Sequence, residues 1–520
     1  MGYSVGRRTG DGRGAQPQPA RLLAAPAEGS RVLIAATGPG AAALLLREEP
    51  GTGPVTVVCL DAGTPQEQAD LTRAAEEAAG RGRPVQRAAS PLPEDDLVWA
   101  VLQELHAADP DRVLTCDPLA LREEGARGER ESALAMAVLD AVEEYQAEVG
   151  RPVFTDCRVL DQEAWPAPAS RSRYPAPAGW AVCGTDGRIS AYLPVPGAVA
   201  RWTEDADGSW SGPVLLEAPG LLPALTVLQD PNGYVELLGL HRTGPAGSEW
   251  NIDVAHVTQY QSGRPFGEWH HQTNPHRAEP LRGRFIGVPV AAYDADGTLN
   301  VFVRNDGHHV NNCRRLPDGS WTGWGLLRGA KVADEMVALR GADGQVELYA
   351  RHLDRPGLVR WHRGPDTKWA VDPTPNVHAL PGSLAAAPES GALRFRYAET
   401  GELCEWPLGA YGPMSLNGPA ARGRVDGAAG VRVDGWGCTV MAVEDERGDC
   451  AIGVYVDGRP DNGVWWIATG QRTSMPPVAV RKHDGTVIVI TIGSGGRLAV
   501  ARQAAMGPGL EFEPWLELSQ

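Results

Sequence analysis

The sequence predicts a multidomain chain, with an α/β parallel-sheet, Rossmann-like domain at the N-terminus followed by an all-β seven-bladed propeller. Three observations predict it. The 520 residues exceed the size of one hydrophobic core. Of the 16 tryptophans only Trp99 and Trp165 precede Ser170, so the two parts differ in composition. Short apolar runs alternate with helical spacing before residue 165, whereas after residue 180 a glycine turn followed by an alternating strand recurs.

In the first part, Arg31-Val-Leu-Ile-Ala-Ala36, Pro54-Val-Thr-Val-Val-Cys-Leu60, Arg112-Val-Leu-Thr-Cys116 and Pro152-Val-Phe-Thr-Asp-Cys157 read as strands buried on both faces, hence a mostly parallel sheet. Leu97, Val98, Val101, Leu102 and Leu105 share one helical face, and Leu134, Val138, Val142, Tyr145 and Val149 share another that Gly150 terminates. Residues 1–28 read as a disordered tail, 29–165 as the α/β domain, 166–179 as a Pro/Ala linker and 180–520 as the propeller.

The propeller expectation rests on seven copies of one unit. Their glycines are Gly187, Gly233, Gly297, Gly344, Gly391, Gly448 and Gly485, spaced 46, 64, 47, 47, 57 and 37 residues apart. About 50 residues per copy suits one four-stranded blade. Most of the glycines follow an aspartate, and a tight hairpin needs their positive φ, so these turns are structural and not calcium loops.

A formal charge of -17, from 65 acids against 48 bases, provides no general field for nucleic acid or an anionic membrane, and neither partner is expected. The run Val32–Leu46 is too short to span a bilayer and carries Thr37-Gly38-Pro39-Gly40. Eight scattered cysteines with no C-x-x-C fit a cytoplasmic chain of reduced thiols. Only Lys331, Lys368 and Lys482 are lysines, and the Ala, Gly, Pro and Arg bias points to a GC-rich, actinobacterial genome.

The order of strands and helices over residues 30–165, with Leu60-Asp61-Ala62-Gly63, Arg73-x-x-Glu76 and Glu131-Ser-Ala-Leu-Ala-Met-Ala-Val138, resembles the PIG-L/LmbE family of zinc-dependent N-deacetylases. The family's A-H-P-D-D-E loop falls on Ala36-Thr37-Gly38-Pro39-Gly40-Ala41, and its H-P-D-H segment on Gly128-Glu129-Arg130-Glu131. Every zinc ligand and the general base are replaced. A hydrolytic zinc normally takes three protein ligands, yet residues 1–165 hold one histidine, His106. No metal and no cofactor are expected. In the second part, Gly208-Ser-Trp210, Gly267-Glu-Trp269, Gly319-Ser-Trp-Thr-Gly-Trp324 and Thr367-Lys-Trp369 resemble tectonin-like and fucose-binding propeller lectins. That resemblance implies sugar recognition.

Two places are candidate sites. The carboxyl ends of the parallel strands present Thr37, Gly38 and Gly40 as ligand contacts, with Asp61, Asp117 and Glu131 as acid–base candidates. The 64-residue gap between copies holds His256, Trp269, His270, His271 and His276, and His308 and His309 follow in the next copy. Here Trp269, His276 and His308 are the binding candidates, and His270, His271 and His309 the catalytic ones. The rim is the preferred seat, because its long insertion is not required by the fold. The expected function is a binding or scaffolding protein whose propeller recognises a glycoside or small metabolite. The alternative is a metal-independent tailoring enzyme of natural-product metabolism, namely a cyclase, isomerase or hydrolase.

Overall fold

The computed structural model describes residues 29–518, apart from Pro50, Thr52, Ala89, Glu94, 121–125, 162–168, 245–249, 260–262, 364–367, 373–376, 388–390 and 505–508. The tail expected over 1–28 lies outside the described residues.

The first part is a six-stranded sheet of β1 (Val32–Ala36), β2 (Val55–Cys59), β3 (Val85–Arg87), β4 (Arg112–Cys116), β5 (Phe154–Asp161) and β6 (Ala169–Ser172). Its spatial order is β3-β2-β1-β4-β5-β6. The first five strands are parallel and β6 runs antiparallel to β5, so the sheet is mixed. The expected apolar runs lie in β1, β2, β4 and β5. The connections are α1 (Pro39–Glu48), α2 (Pro65–Gly80), α3 (Leu97–Ala108) and α4 (Ala126–Val149). Local chemistry sets their ends. Thr64 and Glu67 form a reciprocal capping box at α2, the Asp96 side chain accepts the Trp99 N–H at α3, and Gly150 follows α4 at φ +69°.

The second part is a seven-bladed propeller. Each blade is a four-stranded antiparallel sheet drawn from consecutive strands. The innermost strands are Ala181–Cys183, Leu221–Gln229, Val290–Tyr293, Val332–Arg340, Ala385–Ala387, Ala421–Val433 and Val478–Arg481. Among the described residues no blade borrows a strand from the other end of the chain, and the last blade packs on the first. Trp180, Trp202, Val478, Ile490 and Val500 share one core there, and the Trp180 indole donates to the Pro476 carbonyl at 2.9 Å.

All seven turn glycines have positive φ, from +60° to +88°. Six of them join the first and second strands of a blade. Gly448 does not: it lies between Trp436–Asp445 and Asp449–Val456, the second and third strands of blade 6. The equivalent turn there is Asp434-Gly435, with φ +50° and +80°. Both hairpins of that blade turn on a left-handed glycine, so a glycine–strand pattern does not distinguish them.

The two parts share a core. Leu119, Met136, Leu139, Cys157 and Tyr174 pack with Leu222, Leu238, Trp250 and Ile286 of the propeller, and Phe154 joins the cluster that closes the ring. Polar ties frame this contact. The Gln146 amide donates to the Pro196 carbonyl at 2.9 Å, Glu143 accepts the Gly220 N–H, and Arg242 pairs with Asp140. Asp334 of blade 4 binds Arg173 at 3.1 Å and Arg171 at 3.2 Å, and also pairs with Arg304 of blade 3; Arg173 in turn holds Asp117 at the end of β4. Burial opposes ionisation of Asp334, but Arg304, Arg173 and Arg171 outweigh it and hold the carboxyl well below its usual range.

A group depressed in this way stabilises the fold above its unfolded pKa, and that contribution is lost as pH falls below it. Asp334→Asn is expected to lower the unfolding free energy by about 3 kcal/mol at neutral pH, because it leaves buried guanidinium charge uncompensated. Urea unfolding should show the gap to wild type narrowing progressively below about pH 4.

Candidate functional site

A cavity of about 960 Å³ lies on the propeller axis, between the ring and the α/β sheet. Every blade contributes to it at the start of its innermost strand: Pro177, Pro223, Val288, Asp334, Gly382, Arg424 and Pro476 are one lining residue from each. The opposite wall is the end of α1, the first residues of β4 and β5, and β6, with Glu48, Glu49, Arg112, Asp156 and Arg158. Phe154, Tyr174, Leu193, Ile286 and Met475 supply apolar patches. The volume lies within the range of small-molecule sites.

Backbone irregularity aims the charged groups. The innermost strands of blades 2, 4 and 6 each shift register near their start, between Leu221 and Leu225, Val332 and Met336, and Arg422 and Asp426. A β-bulge re-aims side chains. The pairings Leu221 with His241, Val332 with His352, and Arg422 with Glu444 make Pro223, Asp334 and Arg424 equivalent positions in the three bulges. All three line the cavity.

Their electrostatic situations differ. Asp334 is neutralised by three arginines. Arg424 has no hydrogen bond or ion pair among the described residues, and its Nε is buried without a partner. Burial lowers its pKa, and the acid that attracts it, Glu335, is already held by the Gly382 N–H at 3.0 Å, the Leu384 N–H at 2.6 Å and Arg351 at 3.8 Å. A desolvated, unpaired guanidinium is costly to keep and matches an anionic ligand.

Glu444 is the cavity's second unpartnered charge. It lines the cavity beside its cross-strand neighbour Arg422, with no hydrogen bond or ion pair among the described residues. Burial raises its pKa to about 7, with Arg422 and Arg112 pulling downward and Glu49 and Asp445 pushing upward. Glu49 takes the opposite course, because Arg112 and Arg83 outweigh its burial and hold it low.

Of the residues singled out by sequence, His308 alone lines this cavity, from a turn where its φ is +62°. At the strand ends, a Cβ on Gly38 would stand 2.8 Å from an Asp61 oxygen and one on Gly40 3.1 Å from Glu67, so carboxylates already face the start of α1 beside Thr37. Asp61 pairs with Arg130 at 3.4 Å, Asp117 is taken up by Arg173 and the Leu119 N–H, and Glu131 is buried. On blade 2, His270 and His271 form the exposed outermost strand. His256 stacks near His270 and Trp321 with ring centroids 5.5 and 5.0 Å apart, and His241 meets His271 at 4.5 Å. Trp269 packs on the core, the His276 N–H donates to Asn274, and the His309 ring approaches the Ala330 carbonyl at 3.2 Å. Among the described residues no three His, Cys, Asp or Glu side chains gather as a metal site, and no helix is long and apolar enough to cross a membrane.

Sequence reading missed Arg424, Glu444 and Asp334. A signal exists for two of them: Asp334 lies 10 residues before Gly344 and Arg424 lies 11 before Gly435, the same place in their repeats. Anchoring the sixth copy on Gly448 moves Arg424 out of that register.

No family model matches the chain, and no curated protein matches it. Among solved structures it is similar to AofleA from Arthrobotrys oligospora, at 10% identity over 67% of this chain and 87% of that one, with a TM-score of 0.37. It is also similar to a PL25 ulvan lyase, at 11% identity over 66% and 96% with a TM-score of 0.39, and to the SapL1 lectin, at 11% over 65% and 96% with a TM-score of 0.35. Likeness at that level carries no function from those proteins to this one.

Proposed function

We propose that the protein binds a small anionic polyhydroxyl metabolite, a sugar acid or sugar phosphate, in the axial cavity. The α/β half, read as Rossmann-like and as a degenerate PIG-L/LmbE-like domain, is the cap of that cavity and performs no zinc deacetylation. The observation that carries the reading is Arg424, a half-buried side chain whose Nε is buried without a partner among the described residues, lining from a bulge a space of metabolite size. In the equivalent bulge of blade 4 the charge is compensated by the chain itself, so the one in blade 6 is reserved for something else. This contrast supports a ligand on the axis, in preference to the blade 2 rim around Trp269–His276 or the loop Thr37–Gly40. Thr37, Pro39, Gly40 and Gly128 offer no imidazole or carboxylate where the family resemblance would put zinc ligands.

Two outcomes test this. Titration calorimetry of the full chain with D-glucose, D-glucuronate and D-glucose 6-phosphate should give heat with one or both anions and none with glucose; equal binding of all three, or of none, defeats the reading. Arg424→Met should weaken that binding at least about tenfold while leaving the ligand-free melting temperature unchanged or higher, since it removes an uncompensated buried charge. Separately, protein purified without chelator should carry substoichiometric zinc by elemental analysis.

A further inference from the structure

We propose that the axial cavity is catalytic: Glu444 transfers a proton at the carbon next to a substrate carboxylate that Arg424 and Arg422 hold. The inference rests on the anionic-ligand reading above and goes beyond it to a reaction.

The machinery for such a step is small. A C–H bond adjacent to a carboxylate becomes acidic when cations neutralise the negative charge that builds up on the carboxylate oxygens. A base must then stand within reach, unbound to other groups and titrating near the working pH. The cavity has each part. Arg422 and Glu444 are directly opposed across an antiparallel pair, so their side chains leave the same face of the sheet. Arg424 follows two residues after Arg422 within the bulge. Other acids of the wall are occupied: Glu48 by Arg158 and the Ser170 N–H, Glu49 by Arg112 and the Gly51 N–H, Asp334 by its arginines, and Glu335 by two backbone N–H groups. Glu444 is the acid left open, and its pKa of about 7 leaves a large fraction in each protonation state at neutral pH.

The step balances without a metal or a redox partner. The substrate C–H bond breaks, its proton passes to a Glu444 carboxylate oxygen, and the electron pair moves into the enolate held by the arginines. Return of a proton from Glu444 to the same face of the carbon restores the substrate, exchanged with solvent, and leaves Glu444 as a carboxylate again. The groups facing Glu444 are Arg422 and Asp445 from its own hairpin and Arg112 and Glu49 from the α/β sheet, with Arg158 bearing on Glu49. Glu49 is held low by Arg112 and Arg83 while burial raises Glu444, so the change near neutrality belongs to Glu444.

The test uses the full chain in D2O with D-glucuronate and D-galacturonate, following loss of the H5 proton signal by NMR. Wild type should exchange H5 for deuterium at a rate that rises through about pH 7, because the carboxylate form is the base. Glu444→Gln should slow exchange at least about 100-fold while calorimetry shows the uronate still bound. It should also melt above wild type at pH 8: a raised carboxyl pKa means stability present at low pH and lost as pH rises through the folded value, a penalty that glutamine escapes. Binding with no exchange, or exchange that survives Glu444→Gln, overturns the catalytic role alone. Absence of binding to either uronate and to sugar phosphate overturns the anionic-ligand reading, and this inference falls with it.

Discussion

The carboxylate of Asp334 fixes the geometry on which the rest of the molecule depends. It receives Arg304 from the neighbouring blade and Arg171 and Arg173 from the segment that ends the α/β sheet. Arg173 carries the tie onward to Asp117 at the end of β4. One half-buried acid therefore ties the edge of the sheet to two blades of the ring, alongside the shared apolar clusters and the ties of Gln146, Glu143 and Asp140 to the propeller. The compensation is also what makes the site habitable: charges satisfied on one side let the other side keep charges that are not.

The ring is built from a repeat, and its repeat is broken where chemistry is concentrated. Blades 2, 4 and 6 carry the same bulge but place Pro223, Asp334 and Arg424 in it, two residues after Leu221, Val332 and Arg422, which pair across the strands with His241, His352 and Glu444. An apolar, an acidic and a basic residue at one structural position make a polarised cavity out of an almost symmetric frame. Uncompensated charge in a buried wall lowers stability, so its presence at Arg424 and Glu444 together, and not at Asp334, marks the side that is kept open at a cost.

Much of the fold was legible because it rests on periodicity. The apolar runs of β1, β2, β4 and β5, the faces of α3 and α4, and the seven turn glycines all follow from local requirements of burial and positive φ. Glycine alone does not tell the first hairpin of a blade from the second, which is why Gly448 misplaces the sixth copy. The edge strand β6 was read as linker because Pro and Ala surround it, and its pairing is set by tertiary contact with β5. The site was less legible. A bulge is a two-strand property, visible only once register is known, so Glu444 gives no signal in its own strand, and Arg424 gives one only when the sixth copy is anchored on Gly435. The histidines near 256–276 are conspicuous in sequence because four fall within 21 residues, but the structure distributes them over an outer strand, a packed ring and turns.

A parallel sheet ordinarily presents its chemistry at the carboxyl ends of its strands. Here the carboxylates at those ends are engaged by arginines of the same chain, Asp61 by Arg130 and Asp117 by the docking tie to Arg173. What the sheet offers the cavity comes from elsewhere: the end of α1, the first residues of β4 and β5, and the antiparallel edge strand β6. After burial and Arg422, which weigh most on the proton affinity of Glu444, Arg112 and Glu49 act on it electrostatically from the α/β half. The α/β half, through these edge contacts, is a structural part of the axial cavity, and neither half completes that cavity alone.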